Sequence, residues 1–151
     1  MIVTAYRTPS IKSRDSKTLD MISTYLSDGN SSKLYRKVVD EKKMALEVGA
    51  INLSLEDHSM YIIYGLPLGE TSLESIISEI DEQVVKIQED LISEKDYQKL
   101  QNKFETNFVD SNSSVEGIAN SLAEYYAFYK DTNLINSEIE IYRSISREEI
   151  Q

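Results

Sequence analysis

The sequence reads as an α+β domain, an antiparallel sheet with helices packed on one face. Three observations carry that reading. A single β-type segment opens the chain. Alternating apolar residues on either side of the polar turn Glu56-Asp57-His58-Ser59 mark an antiparallel hairpin. Everything after Gly69 has helical spacing, punctuated by capping signals.

The elements follow in order. Ile2 to Arg7 is rich in β-formers and is closed by Thr8-Pro9-Ser10, since proline cannot continue a central strand. The polar run Lys12 to Lys17 reads as a loop. Leu19, Ile22, Tyr25 and Leu26 recur at helical spacing, with Gly29 where a C-terminal cap glycine belongs. Ser31 or Ser32 restarts a short helix that carries Leu34, Tyr35, Val38 and Val39. In the first hairpin strand Leu46, Val48 and Ala50 alternate, then the phase passes to Ile51, Leu53 and Leu55. That flip predicts a bulge or strong twist near Gly49. Met60, Ile62, Tyr64 and Leu66 form the return strand, ended by Pro67 and Gly69.

The helical part begins with the capping box Thr71-Ser72-Leu73-Glu74. Leu73, Ile76, Ile77, Ile80, Val84, Ile87 and Leu91 make one continuous stripe behind it. Ser93-Glu94-Lys95-Asp96 caps a second helix with the face Tyr97, Leu100, Phe104 and Phe108. Ser113-Ser114-Val115-Glu116 caps a third, with Val115, Ile118, Ala119, Leu122, Tyr126 and Tyr129. Ile135, Ile139 and Tyr142 suggest a fourth, and Ser146-Arg147-Glu148-Glu149 has the form of another capping box two residues before the end. One turn of helix is unstable alone. The expectation is therefore a single domain, residues 1–151, excised from a longer multi-domain protein.

Composition removes several functions. The net charge of −10 argues against a nucleic-acid partner, whose affinity comes mostly from Lys and Arg. No apolar run approaches membrane-spanning length. With no cysteine, neither disulfides nor thiolate metal sites can form, and the compartment is left open. The only histidine is His58, in the hairpin turn. Zinc hydrolysis needs three protein ligands and a general base, so counting alone excludes a zinc site. A Ser-His-Asp triad would have to use His58, and no Gly-x-Ser-x-Gly elbow is present. Adjacent acids such as Asp81-Glu82 and Glu148-Glu149 do not share a helix face, and the glycines are isolated rather than grouped as a phosphate loop.

One stretch carries a resemblance. Asp28-Gly29-Asn30-Ser31-Ser32-Lys33-Leu34-Tyr35, followed by Glu41-Lys42 and Ala45, is similar to the "G-x-S-S-R-L-Y…E-K-x-x-A" region of the pitrilysin/insulinase-type (M16-like) zinc peptidases, in the domain without the metal. Tyr6 to Pro9 resembles the first strand of that domain. Ile92 to Asp96 is similar to its "I-T-x-x-E" helix start, and Ile145 to Ile150 to its "I-T-x-E-D-I" close. The resemblance implies a non-catalytic domain of a zinc metalloendopeptidase, forming part of a chamber around peptides or unfolded protein. It implies no cofactor in this chain, zinc in the parent protein or partner half, and two partners: a sister peptidase domain or half, and a peptide substrate. The arginine and tyrosine that the family places near the scissile carbonyl would fall near Tyr61 and Ser72. Neither matches, so no catalytic residue carries over.

Tyrosines are the remaining candidates for a chamber or interface, because the ring is apolar while the hydroxyl can stay wet. Tyr61, Tyr64, Tyr125 and Tyr126 are singled out, against simple core packing in a protein without tryptophan. Two other classes compete with the peptidase domain. One is a catalytically dead structural or assembly subunit, and the other a protein-interaction domain of the same fold.

Overall fold

Helices α1 (Arg14–Ser27) and α2 (Leu73–Glu89) lie across one face of a three-stranded antiparallel sheet, as expected. The structure, a computed structural model, describes Met1–Gln151. Strands β1 (Ile2–Thr8), β2 (Ala45–Leu53) and β3 (Ser59–Pro67) take the order β1-β3-β2, so the central strand is the last in sequence. Between α1 and β2 the chain forms a π-helical segment, Tyr35–Glu41. Helices α3 (Glu94–Ser111), α4 (Val115–Tyr129), a 3-10 turn (Thr132–Asn136), α5 (Glu138–Ser144) and α6 (Arg147–Ile150) complete it.

The core has two parts. Ile2, Val48, Ala50, Tyr61 and Ile63 from the sheet meet Leu26 of α1, Leu34 and Val38 of the π-helical region, and Ile76 and Ile80 of α2. A second cluster, Met21, Ile92, Leu100, Tyr142, Ile145 and Ile150, joins the back of α1 to α3, α5 and α6. Phe104 stacks on Tyr142 at 4.3 Å between centroids. The Tyr97 hydroxyl donates to the Ile145 carbonyl at 2.5 Å, tying α3 to the last loop.

Several expectations are corrected. Lys12 to Lys17 is not a loop throughout, because Ser13 caps α1 by accepting from the Asp15 amide and the helix starts at Arg14. The bulge is at Leu46, not near Gly49: Ala45 pairs with Pro67 and Glu47 with Leu66, leaving Leu46 extra. The apparent phase flip has another cause: Val48 and Ala50 face the helices while Ile51 and Leu53 face the other way, so both faces of the strand carry apolar residues. Gly49 faces away from the helices and is buried by a side chain on that outer face, described below. The return strand buries Tyr61, Ile63 and Gly65 under the helices. Met60, Ile62, Tyr64 and Leu66 face the other way.

The caps at Ser93 and Ser146 stand as read, and Ser146 makes the full reciprocal box with Glu149. The other two move by one residue. Ser72 rather than Thr71 accepts from the Ser75 amide, and Ser114 rather than Ser113 from the Gly117 amide. On α4 the buried residue is Tyr125. Val115, Ile118 and Tyr126 are exposed, because no other element of the chain covers that side of the helix.

Candidate functional site

The sheet's second face is bare. The register places Val3, Ala5 and Arg7 of β1 beside Met60, Ile62 and Tyr64 of β3, and these beside Gly49, Ile51 and Leu53 of β2. No helix packs on it. Val3 is 54% exposed, Ile51 48%, Leu53 41%, Met60 40% and Leu66 39%, against 4–6% for Val48, Ala50, Tyr61 and Ile63 on the helix-covered face. Scattered exposed apolar residues are ordinary, but a contiguous apolar surface on a sheet marks a place for a partner.

Tyr64 sits in the middle of this surface. Its ring covers Gly49, its register partner, so closely that a methyl group on Gly49 would overlap it. The hydroxyl donates to Glu47 Oε1 at 2.8 Å. That bond to a carboxylate raises the phenol above its ordinary pKa, with a smaller contribution from burial. Tyr64 thus joins an apolar ring to a polar tip at the surface's rim.

The other candidate tyrosines are elsewhere. Tyr61 lies on the helix-covered face, one step out of phase with Tyr64. It is 6% exposed, its hydroxyl has no hydrogen-bond partner, and burial pushes its ionisation upward. Tyr125 is buried and lines a cavity between α3, α4 and α5, its ring 6.2 Å from that of Tyr129. Tyr126 points out, with the Lys130 ammonium 5.6 Å from its ring centre. The structure therefore does not gather the four. Period two separates the first pair, and adjacency on a helix separates the second. The signal that locates the bare face was Ile51 and Leu53, alternating with the buried positions of the same strand.

Nothing in the chain fits a metal. No group of three or more His, Cys, Asp or Glu side chains is placed to hold an ion. His58 is exposed in the hairpin turn. Buried carboxylates have other work. Glu79, 4% exposed, pairs with the Lys42 ammonium and accepts from Gln83 Nε2 at 3.1 Å. Asp20 accepts from Asn52 Nδ2 at 2.8 Å and from the Tyr142 hydroxyl at 3.0 Å. Burial raises the Asp20 carboxyl, and these two bonds and Lys17 oppose the rise.

With the frame and the bare face described, comparison with known proteins places the chain. Residues 1–104 match the peptidase M16 inactive domain, and the chain belongs to that family. The zinc protease PqqE of Helicobacter pylori is 26% identical over 124 residues, which is 82% of this chain and 28% of that protein. Among solved structures, a protease from Helicobacter pylori superposes with a TM-score of 0.90 at 22% identity, over 98% of this chain and 36% of the other. A peptidase M16 inactive domain from Pseudomonas fluorescens superposes at 0.80 and 11% identity, over 98% of this chain and 35% of the other. The chain thus spans about a third of the length of these relatives. The shared fold is the α+β frame.

Proposed function

We propose that this chain is the non-catalytic domain of a zinc-dependent metallopeptidase and forms part of the wall enclosing peptides or unfolded protein. Zinc belongs to the parent protein or the partner half. The observation that carries the reading is the bare apolar face, on the frame of an inactive peptidase domain. Burying one Val- or Leu-sized side chain is worth about 1.5–3 kcal/mol before the cost of association. Val3, Ile51, Leu53, Met60 and Leu66 each have about half of that still to gain, which favours a sister domain seated across β1, β3 and β2. Tyr64 and Glu47 supply the polar margin that interfaces of this kind use.

The free edges of β1 and β2 add a second element. Each offers a row of unpaired backbone groups, to which an extended peptide can pair. The bulge at Leu46 twists one end of the β2 edge away, so β1 is the more continuous template.

Ile51→Glu tests the docking. It places a charge on the β2 side of the bare face, opposite Ile62 of the central strand, at an exposed position whose substitution leaves the domain's own stability within about 0.5 kcal/mol. Co-purification of the chain with the zinc-bearing half of its parent should be lost in this variant and kept in a control on the helix side, Glu82→Gln. Equal recovery of both would contradict the reading.

A further inference from the structure

The turn that carries the family resemblance also walls a cavity of about 410 Å³, against α3 from Asp96 to Thr106. We propose that this cavity is an anion-binding site that receives a side-chain carboxylate of an acidic peptide. That the carboxylate is carried by a peptide rests on the reading of the chain as a peptidase wall; the anion site does not.

Charge is the first ground. Three lysines, Lys33, Lys99 and Lys103, line the cavity against two aspartates, Asp28 and Asp96, which leaves one positive charge in excess. The whole chain carries −10, so this is a local reversal of sign. Lys33 is held by Asp96 at 3.1 Å, and Lys103 by Asp28 at 3.1 Å. Lys99 is different: its ammonium donates to the Ser31 hydroxyl at 2.5 Å and pairs with no carboxylate. Lys99 and Lys103 are four residues apart on α3 and therefore share a face.

The second ground is an unused donor. Ser32 lines the cavity, is 4% exposed, and its hydroxyl is buried with no hydrogen-bond partner. A serine at the start of a helix ordinarily caps it. Here the helix runs on from Lys33 and the Ser32 carbonyl accepts its first bond, from the Arg36 amide, yet the Ser32 hydroxyl makes no cap bond and remains free. A buried hydroxyl without a partner costs free energy, and an incoming oxyanion would repay it. Gly29, with φ of +73°, lets the turn bend back to bring Ser31 and Ser32 opposite α3. The volume exceeds that of a single inorganic anion, which favours a charged side chain with neighbouring backbone.

The test is a titration of the isotope-labelled 151-residue chain at low ionic strength, followed by amide NMR. The probes are a blocked triglutamate peptide, its triglutamine counterpart and inorganic phosphate. Triglutamate should shift Ser31, Ser32, Lys33 and Lys99, triglutamine should not, and phosphate should bind more weakly than triglutamate. Lys99→Gln, at an exposed position, should weaken binding roughly fivefold with the fold intact. Ser32→Ala should weaken it about threefold, and added salt should abolish it. Equal shifts with triglutamine, unchanged binding in both variants, or phosphate matching the peptide would each overturn the proposal. Ile51→Glu should bind triglutamate as the parent does, so failure of docking and failure of this site are read separately.

Discussion

The Tyr64 ring lies over Gly49, its cross-strand partner, on the face of the sheet that carries no helix. The pairing explains two things at once. Gly49 is buried although its face is bare, and the glycine leaves room for the ring, which a Cβ at that position would push aside. Gly49→Ala should destabilise the domain by about 1–3 kcal/mol through that overlap. Adding Tyr64→Ala should recover most of the loss, a coupling that a double-mutant cycle in urea would read. Simple additivity would show that the ring does not cover the glycine.

The Asp20–Tyr142 bond joins the two parts of the core, since Asp20 also holds Asn52 of the sheet. Tyr142→Phe should cost about 1–2 kcal/mol, because a partly buried carboxylate oxygen loses its donor. The stack on Phe104 survives the change, which separates the hydroxyl's effect from the ring's. Chemical denaturation checks this, with Tyr97→Phe as the comparison that breaks a bond to a carbonyl instead.

Arg14 binds both oxygens of Glu149, at 2.5 and 3.0 Å, and the Ser146 amide adds a third bond at 2.7 Å. The guanidinium first, then the amide, pull the Glu149 carboxyl from its ordinary 4.5 down to about 2. A carboxyl depressed in the folded state stabilises fully above its unfolded value. That stabilisation is lost as pH falls from 4.5 through 2. Asp20 has the opposite sign: its raised carboxyl favours the fold as it protonates. Comparing melting temperature against pH for the parent and Glu149→Gln isolates the first effect. The two curves should converge as the solution approaches pH 2. Parallel curves would show that the Arg14 contact does not hold α6.

Lys42 reaches a nearly buried carboxylate from an exposed position, its side chain 42% exposed and Glu79 4%. Lys42→Met should cost about 1–3 kcal/mol, leaving Glu79 with Gln83 alone. Lys42→Met with Glu79→Gln should recover part of that, since no uncompensated charge then remains. Urea midpoints of the three variants decide it.

Much of the frame was legible in the residues. The hairpin, the long stripe of α2 and the caps at Ser93 and Ser146 could be read because one hydroxyl stood three residues before one acid. At Thr71-Ser72 and Ser113-Ser114 two hydroxyls compete, and only the backbone geometry decides which accepts the amide. The strand faces were harder for a related reason. Tyr61 and Ile63 alternate with Met60, Ile62 and Tyr64, so both faces of β3 are apolar and period two cannot say which is covered. On α4 the stripe through Val115, Ile118 and Tyr126 has the form of a core face but finds no partner within the chain. The anion cavity was not visible at all, because Ser32 belongs to the turn and Lys99 and Lys103 to a helix about seventy residues on.

The central claim is that the bare sheet face seats the zinc-bearing half. Hydrogen–deuterium exchange of the chain alone and mixed with that half tests it most directly. The account predicts slowed exchange in β1, β2 and β3, with α4 unchanged. Protection confined to α4 or α2, with the strands exchanging as in the free chain, would contradict it.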